Sequence, residues 1–115
     1  MDNEQKLLGL LGVAMRAGRI HSGEFAAEKL IQSGKASCVI VARDASANTK
    51  SKFRSKCELY GVPFAEFSTK EKLGHALGKE IRSSIALEDP GFAEAFLKRY
   101  RIIQTQKDGG TASEK

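Results

Sequence analysis

The run Ser37-Cys38-Val39-Ile40-Val41-Ala42 is apolar almost throughout and rich in β-branched side chains. Turn formers bound it, with Ser33-Gly34-Lys35 before and Arg43-Asp44-Ala45-Ser46-Ala47-Asn48 after. A strand with one face in water would alternate, whereas an unbroken run predicts a central strand covered on both faces. Covering both faces takes helices, and the flanking sequence supplies them. Upstream, Ala27, Leu30 and Ile31 recur at the i, i+3, i+4 spacing of one buried helix face. Downstream, Phe53, Cys57 and Tyr60 mark the buried side of a helix over about 48–60, which Gly61 stops.

The outer segments extend the same alternation. Leu7, Leu10, Leu11 and Ala14 stripe a first helix over about 3–17, ended by Gly18. Gly9 and Gly12 lie inside it at a cost in helix propensity, which predicts close approach of another backbone. Residues 62–67 read as a strand whose Pro63 points to an edge position or a strand beginning. Ser68-Thr69-Lys70-Glu71 has the pattern of a capping box opening a fourth helix through Leu73 and Leu77 to Gly78. The loop Lys79-Glu80-Ile81-Arg82-Ser83 leads to a last strand over 84–87. Asp89-Pro90 then opens a closing helix that packs Phe92, Phe96 and Tyr100. The order α-β-α-β-α-β-α-β-α predicts one α/β domain over 1–103 with helices on both sheet faces, followed by a flexible polar tail over 104–115.

Composition narrows the function classes. The chain has 115 residues, 41% hydrophobic and 29% charged, ordinary for one globular domain. Its net charge is +5, and the tail's Lys107 and Lys115 are balanced by Asp108 and Glu114, so the surplus belongs to the folded part. That surplus suits a nucleic-acid partner. No apolar run has the length of a membrane span, and Met1-Asp2-Asn3-Glu4 lacks the basic start of a secretory signal; the expectation is a cytoplasmic protein. Cys38 and Cys57 form no C-x-x-C pair and read as buried hydrophobes in a reducing compartment.

No stretch carries the marks of catalysis. Gly74-His75-Ala76-Leu77-Gly78-Lys79 superficially resembles a phosphate loop, but its spacing is wrong, no Ser or Thr follows the lysine, and it lies in a predicted helix. His21 and His75 are isolated, and no carboxylate pair is placed for acid–base work. The basic run Lys50, Lys52, Arg54, Lys56 spreads over two sides of a helix, as a solvated face does. A non-enzyme without cofactor or metal is expected.

The remaining candidate is Arg19-Ile20-His21-Ser22-Gly23-Glu24-Phe25-Ala26-Ala27-Glu28-Lys29: a short strand, a tight turn at Ser22-Gly23, and a helix start. On a helical wheel Phe25 falls roughly opposite the buried face, in line with Lys29. Helix N-termini attract anions through their unpartnered amides and summed peptide dipoles. Two readings stand here. The turn is a phosphate- or base-contacting edge, or Ser22 is only an N-cap and Phe25 packs on a neighbouring element. The turn at Ser22–Phe25, the loop at Arg43 and the loop Lys79–Ser83 each join small polar or basic residues to a connection. Together on one edge they would suit an irregular, unstacked RNA element.

Residues 30–46 (Leu-Ile-Gln-Ser-Gly-Lys-Ala-Ser-Cys-Val-Ile-Val-Ala-Arg-Asp-Ala-Ser), 57–63 (Cys-Glu-Leu-Tyr-Gly-Val-Pro) and 70–79 (Lys-Glu-Lys-Leu-Gly-His-Ala-Leu-Gly-Lys) resemble the kink-turn-binding ribosomal-protein superfamily. The superfamily includes archaeal and eukaryotic large-subunit ribosomal proteins and small nucleolar RNP proteins, and the resemblance is nearest to its bacterial YlxQ-like branch. It covers roughly residues 4–97. It implies a three-layer α/β/α sandwich with a mixed four-stranded sheet. It also implies RNA binding through the second helix's N-terminus and the loop before the last strand. Gly23 and Lys29 match the family's signature, whereas Phe25 and Ala26 stand where its polar pair reads tandem G·A base pairs.

The expectation is therefore a non-catalytic monomer that binds structured RNA in translation, ribosomal RNA among the candidates, alongside ribosomal or translation-related proteins. Arg19, Lys29, Arg43, Lys79 and Arg82 would meet phosphates, and the Gly23 and Glu24 amides a backbone or base edge. Phe25 and Ile81 would pack on unstacked nucleotides, with Ser22 and Ser83 completing the polar rim. The alternative is a protein–protein adaptor on the same fold, binding RNA weakly and non-specifically and a partner protein through Phe25.

Overall fold

The computed structural model describes the backbone of residues 2–112 and the side chains of residues 2–105. Nine elements follow in the expected order: α1 (Asn3–Arg16), β1 (Ile20–Ser22), α2 (Glu24–Gln32), β2 (Cys38–Val41), α3 (Ala47–Tyr60), β3 (Phe64–Glu66), α4 (Lys70–Ala76), β4 (Ser84–Leu87) and α5 (Pro90–Ala112). The strands form one mixed sheet in the order β1-β4-β2-β3. The last strand is inserted between the first two, antiparallel to both, and β2 runs parallel to the edge strand β3. Pro63 sits just before that edge strand, where its missing N–H breaks no ladder.

Helices cover both sheet faces. α1 packs against α4 and α5 in one layer, and α2 packs against α3 in the other. Every residue of β2 and β4 is buried, as the unbroken apolar run required. Phe67 meets Phe96 edge-on at 5.4 Å, Phe96 stacks on Tyr100 at 5.7 Å, and the Tyr100 hydroxyl donates to the Glu66 carbonyl at 3.1 Å. This chain of contacts fastens α5 to the end of β3.

Four expectations need correction or completion. Tyr60 lies outside the core because α3 ends there, leaving it and Leu59 exposed. The cap of α4 is Thr69, whose hydroxyl accepts from the Lys72 amide at 3.1 Å. Ser68 stands outside the helix with φ +61° and donates to Glu4 at 2.8 Å, so the Ser68–Glu71 capping box does not form. Of the two α1 glycines, Gly12 is closely approached, since a Cβ there would lie 3.0 Å from the Ala76 carbonyl oxygen; beyond its own helix turn, no atom lies within 4 Å of a Cβ built at Gly9. Finally, α5 continues through residues 104–112, past the boundary expected at 103, and residues 113–115 of the expected tail lie outside the described residues. Among the described residues no helix is long and apolar enough to cross a membrane.

Candidate nucleic-acid interface

Strand direction assembles the site. β1 and β2 both run antiparallel to β4, and β3 follows β2, so the C-terminal ends of β1, β2 and β3 share an edge with the start of β4. Ser22, Val41, Glu66 and Ser84 mark that edge. The turn from β1 into α2 and the loop from α4 into β4 therefore meet there.

Gly23 is the N-cap of α2, with φ +99° and ψ 154°, a conformation other residues rarely adopt, and no side chain caps the helix. Ser22 is thus not a cap. Its Oγ instead accepts from Arg82 Nε at 3.2 Å. The Gly23 amide donates to the Ser84 carbonyl at 2.9 Å, which docks the turn on β4 and removes that amide from the expected ligand contacts. The first bond of the helix runs from the Ala27 amide to the Gly23 carbonyl at 3.0 Å. The amides of Glu24, Phe25 and Ala26 precede it, and they form the positive end of the helix.

Phe25 is 74% exposed, so it does not pack on a neighbouring element. Lys29 Nζ lies 5.5 Å from its ring centroid, a cation over an aromatic face. Both line a shallow groove of about 390 Å3 that His21, Lys35 and Glu88 also reach. His21 Nε2 lies 2.8 Å from Glu88 Oε1, and this hydrogen bond holds the Glu88 carboxyl below its usual range. Neither Lys35 nor Glu88 is marked by any motif or spacing as part of this groove. Only the β1–β4 register, with His21 opposite Ala86, brings Glu88 beside His21.

The loop before β4 meets the β1–α2 turn from the other side of Ser22, through the Arg82–Ser22 hydrogen bond. Ile81 is 59% exposed. The Arg82 amide donates to the Lys70 carbonyl at 3.1 Å and its Nη1 to the Ile81 carbonyl at 2.9 Å. With the bond to Ser22, two of the five guanidinium donors are engaged, so Arg82 braces the loop while keeping donors for a phosphate. Ser83 is half-buried and contributes its carbonyl, which accepts from the Ala42 amide at 2.8 Å. Lys79 is exposed just after Gly78. Gly74, absent from the sequence-based site, sets the loop's path: a Cβ there would fall 1.3 Å from the Glu80 carbonyl oxygen.

Two expected contacts lie away from the β1–α2 turn. Arg19 stands at the far end of β1, about 13 Å along the strand from Gly23, and its positive charge acts on Glu88, which also lines the Phe25–Lys29 groove. Arg43 lines a different concavity with Arg54, Phe64, Glu66 and Tyr100, because β4 separates the end of β2 from β1. Glu24 is not a free carboxylate either. Lys52 Nζ lies 2.7 Å from Glu24 and 3.1 Å from Glu28, Lys56 reaches Glu28 at 3.8 Å, and Lys50 and Arg54 pair with Glu66. The basic run of α3 is taken up in these pairs. Among the described residues no group of three or more His, Cys, Asp or Glu is placed to hold a metal ion.

The sequence profile of the Ribosomal protein L7Ae/L30e/S12e/Gadd45 family matches residues 5–97. The chain belongs to that family. Its similarity to the L7Ae/L30e/S12e/Gadd45 proteins extends to named relatives. It is 40% identical over 88 residues to the RNA-binding protein YlxQ of Bacillus subtilis (strain 168), covering 76% of this chain and 88% of that one. To the large ribosomal subunit protein eL8 of Cenarchaeum symbiosum (strain A) it is 30% identical over 94 residues, covering 81% and 75%. A solved protein of unknown function from Bacillus halodurans superposes with TM-score 0.79 at 36% identity, over 82% of this chain and 95% of that one. A Giardia lamblia 15.5kD RNA binding protein shares the fold, with TM-score 0.75 at 24% identity over 86% and 88%.

Proposed function

We propose that this chain is a non-catalytic, ribosomal-protein-like RNA-binding protein that recognises structured RNA through the edge formed by the start of α2 and the loop before β4. One observation carries the reading: an exposed aromatic, Phe25, sits with Lys29 at an uncapped helix N-terminus, and the loop that Arg82 ties to that turn through Ser22 carries the exposed Ile81. Lys29 and Arg82 supply charge for phosphates, the helix amides add fixed donors, and the apolar side chains pack on bases that have left a stack. The relatives' names, RNA-binding protein YlxQ and large ribosomal subunit protein eL8, support the same class of partner.

The RNA's chemistry follows from the residues. Phe25 and Ala26 cannot donate or accept through their side chains, so this edge favours a stacked, splayed base over hydrogen-bonded readout of paired bases. A kink-turn or a related ribosomal RNA element presents such a base. We infer further that the protein acts in translation, in the cytoplasm, as a monomer. The test titrates the protein with a kink-turn RNA, a loop-containing RNA and a plain duplex, each at low and near-physiological salt. Binding to one structured RNA that persists at the higher salt is the expected result. Weak binding to all three that collapses with salt would overturn the reading and favour a protein adaptor working through Phe25.

A further inference from the structure

The layer formed by α1, α4 and α5 lies across the sheet from α2, and it carries a feature that RNA binding does not use. Leu10, Val13 and Ile102 floor a groove of about 540 Å3 between α1 and α5, and Lys6, Lys98 and Arg99 line it with them. Val13 and Ile102 are each 46% exposed. Among the described residues no acidic side chain lines this groove. Gly9 borders it as well. Its cost in helix propensity is matched by no packed neighbour, since nothing approaches within 4 Å of a Cβ built there. Gly9 thus leaves room for another chain to come close.

We propose that this groove docks an acidic, amphipathic helical segment of a partner protein. The floor is aliphatic and no aromatic lines it, so it offers apolar side chains a seat and bases nothing to stack on. The three cations match carboxylates on the polar side of such a helix, and complementary charge of this kind steers encounter and fixes register. Anchors spaced i, i+3 and i+7 would rest on Leu10, Val13 and Ile102, with the partner backbone passing over Gly9. Because the groove and the α2 edge lie on different layers, the protein could hold RNA and partner together. The inference stands on its own residues and does not depend on the RNA assignment.

The test uses the full chain and a labelled peptide with leucines at i, i+3, i+4 and i+7 and glutamates elsewhere. Its controls are a peptide of the same composition with the leucine spacing scrambled, and a single-stranded RNA oligonucleotide. Saturable binding of the amphipathic peptide is expected, with amide shifts at Gly9, Leu10, Val13 and Ile102. Val13→Asp and the pair Lys98→Glu with Arg99→Glu should each weaken it by about tenfold or more. Gly9→Leu, at a position with open space, should do the same by filling the groove, and unchanged amide spectra elsewhere would verify the fold of each variant. Absence of binding, equal binding of the scrambled peptide, or displacement of the peptide by the RNA oligonucleotide would overturn the proposal.

Discussion

In the proposed interface, Phe25 and Lys29 would divide the work into two measurable parts. A stacked base is worth ~1–3 kcal/mol by alanine substitution, so Phe25→Ala should weaken RNA binding by that amount with little change in salt dependence. Lys29→Ala should instead lower the slope of log K against log salt by about one unit, since one fewer counterion is released. Fluorescence titration across a salt series separates the two, and equal slopes for both variants would mean that Lys29 meets no phosphate. The positions of these two residues were legible in the sequence because a strand–glycine–helix junction fixes where the first helical side chains stand. The positions of Arg19 and Arg43 were not: strand length sets Arg19 at the end of β1 opposite Gly23, and the insertion of β4 leaves Arg43 beside β3 and α5.

At the scale of elements, α4 is the support on which the loop before β4 rests. Gly74 leaves no room for a methyl group against Glu80, so Gly74→Ala must displace the loop backbone that carries Ile81 and Arg82. Overpacking of this kind costs about 1–3 kcal/mol, and the variant should lose RNA affinity as well as thermal stability. Retention of both would show that the loop's path is not set by this contact. Thr69→Ala removes the cap of the same helix and should cost about 1 kcal/mol in denaturant unfolding. Glu71→Ala should cost far less, because Glu71 does not close a capping box. The helices and strands could be read one by one from periodicity and turn chemistry, as the apolar run at 38–41 and the Pro-marked edge strand at 64–66 illustrate. The cap shifted by one residue because Ser68 adopts a positive φ and turns its hydroxyl to Glu4, a tertiary contact with no local sequence signal.

For the whole molecule, the buried thiols supply a test of the core. Burial, followed by the nearby Cys57, pushes the Cys38 thiol up from 9.0 to about 12, and burial raises Cys57 to about 11. The folded state therefore keeps protons that the unfolded chain releases. The stability this contributes is fully present below pH 9.0 and is lost as pH rises through 9.0 toward about 12. Denaturant unfolding at a series of alkaline pH values should show a steeper decline for the natural chain than for Cys38→Ala, and parallel declines would mean that Cys38 is accessible to water. The order β1-β4-β2-β3 was the least legible feature from the residues themselves, since it is set by pairing between segments far apart in the chain. That same order brings Ser22 and Arg82 within hydrogen-bonding distance and so creates the edge. The most direct check of that edge is an amide chemical-shift titration of the full chain with kink-turn RNA at near-physiological salt. The largest changes should fall on residues 23–29 and 81–83, with residues around Val13 and Ile102 unmoved. Changes confined to the α1–α5 groove, with residues 23–29 silent, would contradict the assignment of this edge to RNA.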